Sequence, residues 1–413
     1  MTARRLRVLY VWDADYPWDV RTEKVCLALV EGGHQVAIAA RNLQGRPGRE
    51  TRPEGTVERI AAGPALVRRW LSFPAFFNPI WLRHLTQVIR RHAVDLIMVR
   101  DLPLAPTALA ASRRRIPVIL DMAENYPAMI RDIWTDGRQG PLDIMVRNPA
   151  LVAAVERRVL GRADHVLTVV EESRQRVVAL GVPGDRVSVV SNTPPRDRAA
   201  VPHPREPGEP LRIVYLGLME KHRGLACTLD AAAALKREGV RFRLELVGDG
   251  RDYEYVRGYS AALGLTEEHA IFHGRLPHQA AIDLVARAHV GLVPHEARES
   301  WNTTIPNKLF DYMAAGLAVV TSDAAPAARI VRETAAGLVF RSGDWQHLAE
   351  KIRRCEDVIV WNAFRRAGQE AIRTRYNWES DSRVLLDVVS AVARRTPAPE
   401  TLHDEPKGAP LHS

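Results

Sequence analysis

Short apolar runs alternate with longer stretches of helical periodicity along most of this chain. RVLYVW (7–12), QVAIAA (35–40), DLIMVR (95–100), PVILDM (117–122), HVLTVV (165–170) and VSVVS (187–191) are rich in β-branched residues and bounded by polar or turn-forming ones. Such runs read as buried strands. Between the first two lies TEKVCLALVEGG, an amphipathic helical stretch closed by a Gly-Gly that can cap it. A second series follows: LRIVYLG (211–217), FRLELVG (242–248), AIFHG (270–274), VGLVP (290–294), LAVVTS (317–322) and GLVF (337–340). Strand–helix alternation of this kind predicts an α/β protein with parallel, doubly wound sheets.

The two series are separated by NTPPRDRAAVPHPREPGEP (192–210), which holds six prolines and no periodicity. Proline density makes such a segment a semi-rigid linker. The expected organisation is therefore two Rossmann-like domains facing across a cleft. An N-terminal Rossmann-like domain spans 1–195, a Pro-rich linker 196–210 and a C-terminal Rossmann-like domain 211–378. ESDSRVLLDVVSAVARR (379–395) is a separate helix packing back on the N-terminal domain, and 396–413 is a disordered tail. Open parallel sheets bind ligands beyond the carboxyl ends of their strands, so each strand end is a candidate site.

Composition narrows this picture. At 413 residues, with 46% hydrophobic and 26% charged positions, the chain has the make-up of a soluble two-domain protein. No apolar run approaches the length of a membrane span. The N-terminus MTARRLRVLYVWD has no apolar h-region and reads as a first strand rather than a signal peptide. Cys26, Cys227 and Cys355 have no metal-ligand spacing and read as thiols of a reducing cytosol, with no metal site. The net charge of +9 comes from 52 arginines and only six lysines, and it favours anionic partners. Those charges are spread along the chain, without a helix-turn-helix, zinc-finger or RNP1-like motif, which argues against nucleic acid. WLSFPAFFNPIWL (70–82) carries the aromatics Trp70, Phe73, Phe76, Phe77 and Trp81 beside Arg68, Arg69 and Arg83. That combination suits a peripheral contact with the inner face of a membrane, or a lipid-linked acceptor. A helix pair packed on the first domain is the other reading.

The chemistry concentrates at strand ends. YLGLMEKHRGL (215–225) puts Gly217, Arg223 and a helix start after one strand, and LVGDG puts Gly248 and Asp249 after the next. A glycine turn lets backbone approach a phosphate, while a helix N-terminus and an arginine supply positive potential. The stretch NTTIPNKLFDYMAAG adds Pro306 at a first helical turn, with the amides of Asn307 and Lys308 free at that end. The Lys308 ammonium and the hydroxyls of Thr303 and Thr304 suit a diphosphate. Asp311, one turn deeper, suits a ribose diol; otherwise Lys308 and Asp311 form a solvated i,i+3 pair. In the first half, DADYPWDVRTEK (13–24) carries Asp19 and Arg21, VRDLP (99–103) carries Arg100 and Asp101, and Asn192 begins the linker. These five are cleft candidates.

YLGLMEKHRGL, LVGDG, FHGRLP (272–277) and NTTIPNKLFDYMAAGLAVVTSD together resemble the C-terminal domain of family 4 glycosyltransferases, which have the GT-B fold. DVRTEKVCLALVEGGHQVAIAA, DLIMVRD and VILDMAENYP extend the likeness over nearly all of the chain but its tail. The resemblance implies retaining transfer of a sugar from a nucleotide-diphosphate sugar, UDP- or GDP-linked, without an obligatory metal or other cofactor. It implies a saccharide or polyprenyl-linked acceptor in surface polysaccharide or glycolipid synthesis, with the five cleft candidates of the first half on the acceptor side. Arg223 and Lys308 would hold the phosphates, with Thr304, Asn307 and Leu309 beside them and Asp311 at the ribose; the base would lie near Arg275 and Leu276. Two positions depart from the family pattern. Its E-x7-E pair becomes Thr303 and Asp311, and Ala123 stands before Glu124 where many members have a histidine. Glu124, Asn125, Glu299 and Thr303 are therefore the expected catalytic set. A sugar-nucleotide epimerase or phosphorylase of the same architecture, and a nucleotide-binding scaffold subunit with weak catalysis, are the other readings.

Overall fold

A computed structural model describes residues 4–17, 19–60, 76–135, 148–198, 205 and 208–395. The first series of apolar runs forms β1 (Arg7–Asp15), β2 (Gln35–Arg41), β5 (Leu96–Arg100), β6 (Val118–Met122), β7 (His165–Thr168) and β8 (Val187–Val189). With β3 (Arg49–Arg52) and β4 (Gly55–Arg59) they make one sheet in the order β3-β4-β2-β1-β5-β6-β7-β8. The second series forms β9 (Leu211–Leu216), β10 (Phe242–Val247), β11 (Ala270–Gly274), β12 (Val290–Val293), β13 (Ala318–Ser322) and β14 (Gly337–Phe340), in the order β11-β10-β9-β12-β13-β14. All pairs are parallel except β3 with β4. Every apolar run singled out in the sequence is thus a strand, and the fold is the two-sheet α/β architecture of GT-B proteins.

Helices on both faces explain why these strands read as continuous rather than alternating runs. β6 and β13 are buried at all five of their positions. The β3–β4 hairpin escaped the sequence reading because RETR, at the sheet edge, is charged and partly exposed. A charged edge strand also opposes pairing with other chains.

The sheets are tied together at one end. The helix Trp378–Arg395 sets Leu385, Val388, Val389 and Val392 into the core of the first sheet, against residues such as Tyr10 and Leu29. Trp378 N–H donates to Pro194 C=O at 2.9 Å, and Thr193 Oγ1 donates to Asp381 at 2.5 Å.

The aromatic stretch is corrected in part. Trp81 is fully buried in the first core, on the helix Pro79–His92, because its indole faces the strands rather than solvent. Phe76 packs against the same core, while Phe77 stays about half exposed, at 46%. Trp70 and Phe73 lie outside the described residues. No described helix is long and apolar enough to cross a membrane.

Candidate active site

In the second sheet the strand order reverses between β9 and β12, and at such a switch point the loops diverge to leave a crevice. The loop after β9 and the long loop after β12 flank it. Gly217 ends β9 with φ +144°, and a Cβ there would stand 2.8 Å from Lys308 Nζ. Gly248 backs it: a Cβ on that residue would meet Gly217 O at 2.0 Å. Glycine is favoured at Gly217 by its φ, and required at Gly248 by close backbone approach as well as by φ. Gly217 N–H donates to Val247 C=O, and Met219 N–H to Asp249 C=O, so the loops after β9 and β10 are laced together. The Asp249 side chain itself is exposed.

The helix Lys308–Ala315 points its N-terminus at this floor. It is seated by Tyr312, whose ring lies where Gly291 of β12 has no side chain and whose hydroxyl accepts from Leu216 N–H at 2.8 Å. Asn307 caps the helix without a side-chain bond, and the first helical bond runs from Leu309 N–H to Pro306 C=O. The amides before it are therefore free to face an anion. Leu309 itself is corrected: its side chain is fully buried in the second domain's core, so it packs the helix and offers nothing to a donor.

Lys308 is the unusual group. It is only 8% exposed, its Nζ has no hydrogen-bond partner, and it lies 3.8 Å from the centre of the Tyr215 ring. Burial, and then Arg223, push its pKa well below the usual lysine value. Arg223 lies over the Trp301 ring at 5.3 Å and bonds Glu220 at 3.2 Å. His295, at the carboxyl end of β12, completes the cluster: it is buried against Trp301, both ring nitrogens lack partners, and burial, Lys308 and Arg223 hold it neutral. Arg223 thus acts on both Lys308 and His295, and Lys308 on His295. His295 and Trp301 were missed in the sequence, although HEARESW directly follows a strand end.

The first sheet supplies the opposite wall. Asp101, held at φ +58°, accepts the amides of Ala123 (2.8 Å) and Glu124 (3.2 Å) and so braces the loop after β6. Glu124 then projects into a cleft cavity of about 530 Å³ that it lines with Arg223, Trp301 and Thr304. The surrounding cleft and the neighbouring Asp101 push its carboxyl up to about 7, although the side chain itself stays open to solvent. Contacts cross the cleft here. Asn125 Nδ2 donates to Thr303 Oγ1 at 2.9 Å, Thr304 Oγ1 donates to Ala123 C=O at 2.9 Å, and Arg131 pairs with Glu299. Of the expected catalytic set, Glu124, Asn125 and Thr303 come together, while Glu299 is half exposed at the rim in its ion pair.

The remaining candidates divide. Asp311 keeps 38% of its side-chain surface and faces Arg198 of the linker at 3.9 Å. Arg275 is exposed and Leu276 partly buried beyond β11. Asp19 caps the helix Val20–Glu31 through Thr22 N–H and pairs with Arg100, which lies over Trp12 at 4.2 Å. Asn192 is buried beside the crossing. Arg21 is corrected: it is 2% exposed and bonded to the buried Asp121, so it braces the first domain and does not line the cleft.

Two facing doubly wound sheets with laced loops at the switch point define a GT-B protein. Residues 19–193 match the glycosyl transferase 4-like domain, and residues 210–357 match glycosyl transferases group 1. The chain belongs to the family 4-like glycosyltransferases. It is 23% identical over 241 residues to the amylovoran biosynthesis glycosyltransferase AmsK of Erwinia amylovora, covering 57% of this chain and 58% of that protein. It is 30% identical over 183 residues to the phosphatidyl-myo-inositol mannosyltransferase of Mycobacterium leprae, covering 44% and 46%. The matches thus span about half the length of these curated relatives. The structure of Anabaena HepE in complex with UDP-glucose aligns with a TM-score of 0.68 at 16% identity, covering 94% of this chain and all of that one.

Proposed function

We propose that this chain is a retaining glycosyltransferase. It moves a sugar from a nucleotide-diphosphate sugar, UDP- or GDP-linked, to a saccharide or polyprenyl-linked acceptor in surface polysaccharide or glycolipid synthesis. The observation that carries the reading is the buried, unpartnered Lys308 ammonium at the head of a helix, above Gly217 and beside Arg223. A buried basic nitrogen without an acceptor at a helix N-terminus is completed by an anion, which favours its protonated form. A nucleoside diphosphate fits, with its phosphates on Lys308, Arg223 and the Asn307–Lys308 amides, and its ribose on Asp311. As the bond between the sugar and the diphosphate breaks, charge grows on the departing oxygen. Preorganised cations and amides then stabilise the transition state more than the ground state. The names of the curated relatives support a glycan or glycolipid acceptor, and the UDP-glucose bound by HepE supports the donor class.

The test is binding and hydrolysis of UDP-, GDP- and ADP-sugars, with and without EDTA. Binding of none of them sinks the reading, and binding without turnover, even with lipid-linked acceptors, reduces it to a scaffold. Asp311→Asn is expected to weaken UDP about tenfold, the loss of one hydrogen bond to a charged group, and to leave pyrophosphate unaffected. Equal losses for both ligands would remove the ribose assignment.

Glu124 is placed to take the acceptor hydroxyl's proton. Its carboxyl is pushed up to about 7, so it is protonated below that pH and competent above it. The turnover rate should rise with pH through that value, and Glu124→Gln should flatten the rise while leaving UDP affinity unchanged. A profile that keeps the same limb in the Gln variant assigns it elsewhere.

A further inference from the structure

The cleft cavity is smaller than a hollow elsewhere on the molecule. A groove of about 1050 Å³ lies on the first domain between the helices Ala105–Ala111 and Pro149–Leu160 and reaches the amino end of β6. Its walls are apolar at Phe77, Leu109, Ile116 and Leu151, and Phe77 and Leu151 keep 46% and 45% of their surface. Its rim is arginine: Arg113, Arg114 and Arg115 on one turn, Arg158 and Arg162 beside the end of the second helix. All five are exposed, and no described carboxylate pairs with any of them. The one acid in the lining, Asp164, accepts Val118 N–H at 2.7 Å. A neighbouring hollow of about 360 Å³ continues the face and adds Arg90, with Arg4 and Arg7 paired to Asp95.

The helix dipole accounts for an arginine near a helix C-terminus such as Arg158. It does not account for the 113–115 turn. Arg113 and Arg114 adopt φ +50° and +59°, a left-handed conformation that glycine or asparagine enters more easily. Three successive arginines are held outward there, beside exposed apolar side chains. A nucleic acid or a free phosphate would use the charge but leave Phe77 and Leu151 in water. An anionic bilayer uses both, since headgroup phosphates meet the guanidinium groups while apolar side chains enter the interface.

We propose that this face docks the protein on the surface of an anionic phospholipid bilayer. The contact lies on the arginine-rimmed groove rather than on Trp81, which is buried, and it is separate from the nucleotide cleft. The test is flotation of the full chain with vesicles of phosphatidylcholine alone, and of phosphatidylcholine mixed with phosphatidylglycerol. Binding is expected only to the mixed vesicles, and it should be reversed by high salt. Replacing the three turn arginines together (R113E, R114E, R115E) should lower the vesicle affinity by about a hundredfold. R158E, on a different element, and L151E should each lower it by roughly tenfold. UDP affinity should stay unchanged in every variant, which separates this result from any failure of the donor site. The proposal is overturned if the wild-type chain ignores anionic vesicles, or if the triple variant and R158E both bind as the wild type does. It is also overturned if duplex DNA is bound and vesicles are not.

Discussion

Lys308→Ala is expected to weaken UDP binding by on the order of a hundredfold and to leave the ligand-free protein as stable as before, or more so. The two halves of that expectation come from one fact. In the absence of ligand the Lys308 amine is buried without a partner, so its removal relieves a desolvation cost. In the nucleotide complex the same amine meets a diphosphate in an enclosed, low-dielectric setting, where losing a charge-assisted contact costs about 2–5 kcal/mol. A linked proton follows. Burial and Arg223 hold the Lys308 pKa well below its ordinary value, and an arriving diphosphate raises it again. Nucleotide binding at alkaline pH should therefore take up a proton, and Lys308→Ala should abolish the uptake. Calorimetry in buffers of different ionisation enthalpy measures this directly, and thermal melts without nucleotide measure the other half. Unchanged affinity for UDP would refute the phosphate role. A large loss of ligand-free stability would mean that the amine holds the fold instead.

The second large effect is structural. Asp121→Ala should destabilise the protein by about 3–5 kcal/mol, because it strands Arg21 in the first domain's interior. The Asp121 carboxylate is fully buried and accepts from Arg21 Nε at 3.0 Å and from the Tyr10 hydroxyl at 2.7 Å. Replacing both partners with apolar residues of similar volume should cost much less than the single change. Burial pushes the Asp121 carboxyl up, but Arg21 and Tyr10 outweigh it and hold the pKa below its ordinary value. The folded-state value is depressed, so the pair's stabilisation is present above the unfolded value of about 3.9 and is lost as pH falls through the lower folded one. Urea titrations of the wild type, the single variant and the double variant test this. A single-variant loss below about 1 kcal/mol would show that the pair is not needed.

How far the sequence could be read depended on what each residue's signal reports. The twelve apolar runs were legible as strands because a strand covered on both faces must be apolar at nearly every position. The oddity of Lys308 was legible because a lysine at a helix start stands out whatever surrounds it, while its phosphate role is the proposal made above. The failures share the opposite property. Trp81, Leu309 and Arg21 were read from residue type, and type alone does not say which way a side chain points. On the Pro79–His92 helix the indole turns inward. At the start of the donor helix Leu309 faces the core beside two residues that do not. Arg21 found a buried acid a hundred residues away, and nothing local in the sequence signals that pairing. His295 was missed for a related reason: histidine after a strand is common, and only its unpartnered nitrogens set it apart.

The chain crosses between its halves twice, once through the linker and once at Trp378, and the two crossings touch at Pro194. A single tether would let one half swing, slide and twist against the other. Two adjacent pins leave one easy motion, a rotation about the line that joins them, and oppose the rest. Thr303 and Thr304 meet Asn125 and Ala123 across the cleft in one alignment, which the paired connections at Pro194 and Trp378 help to keep.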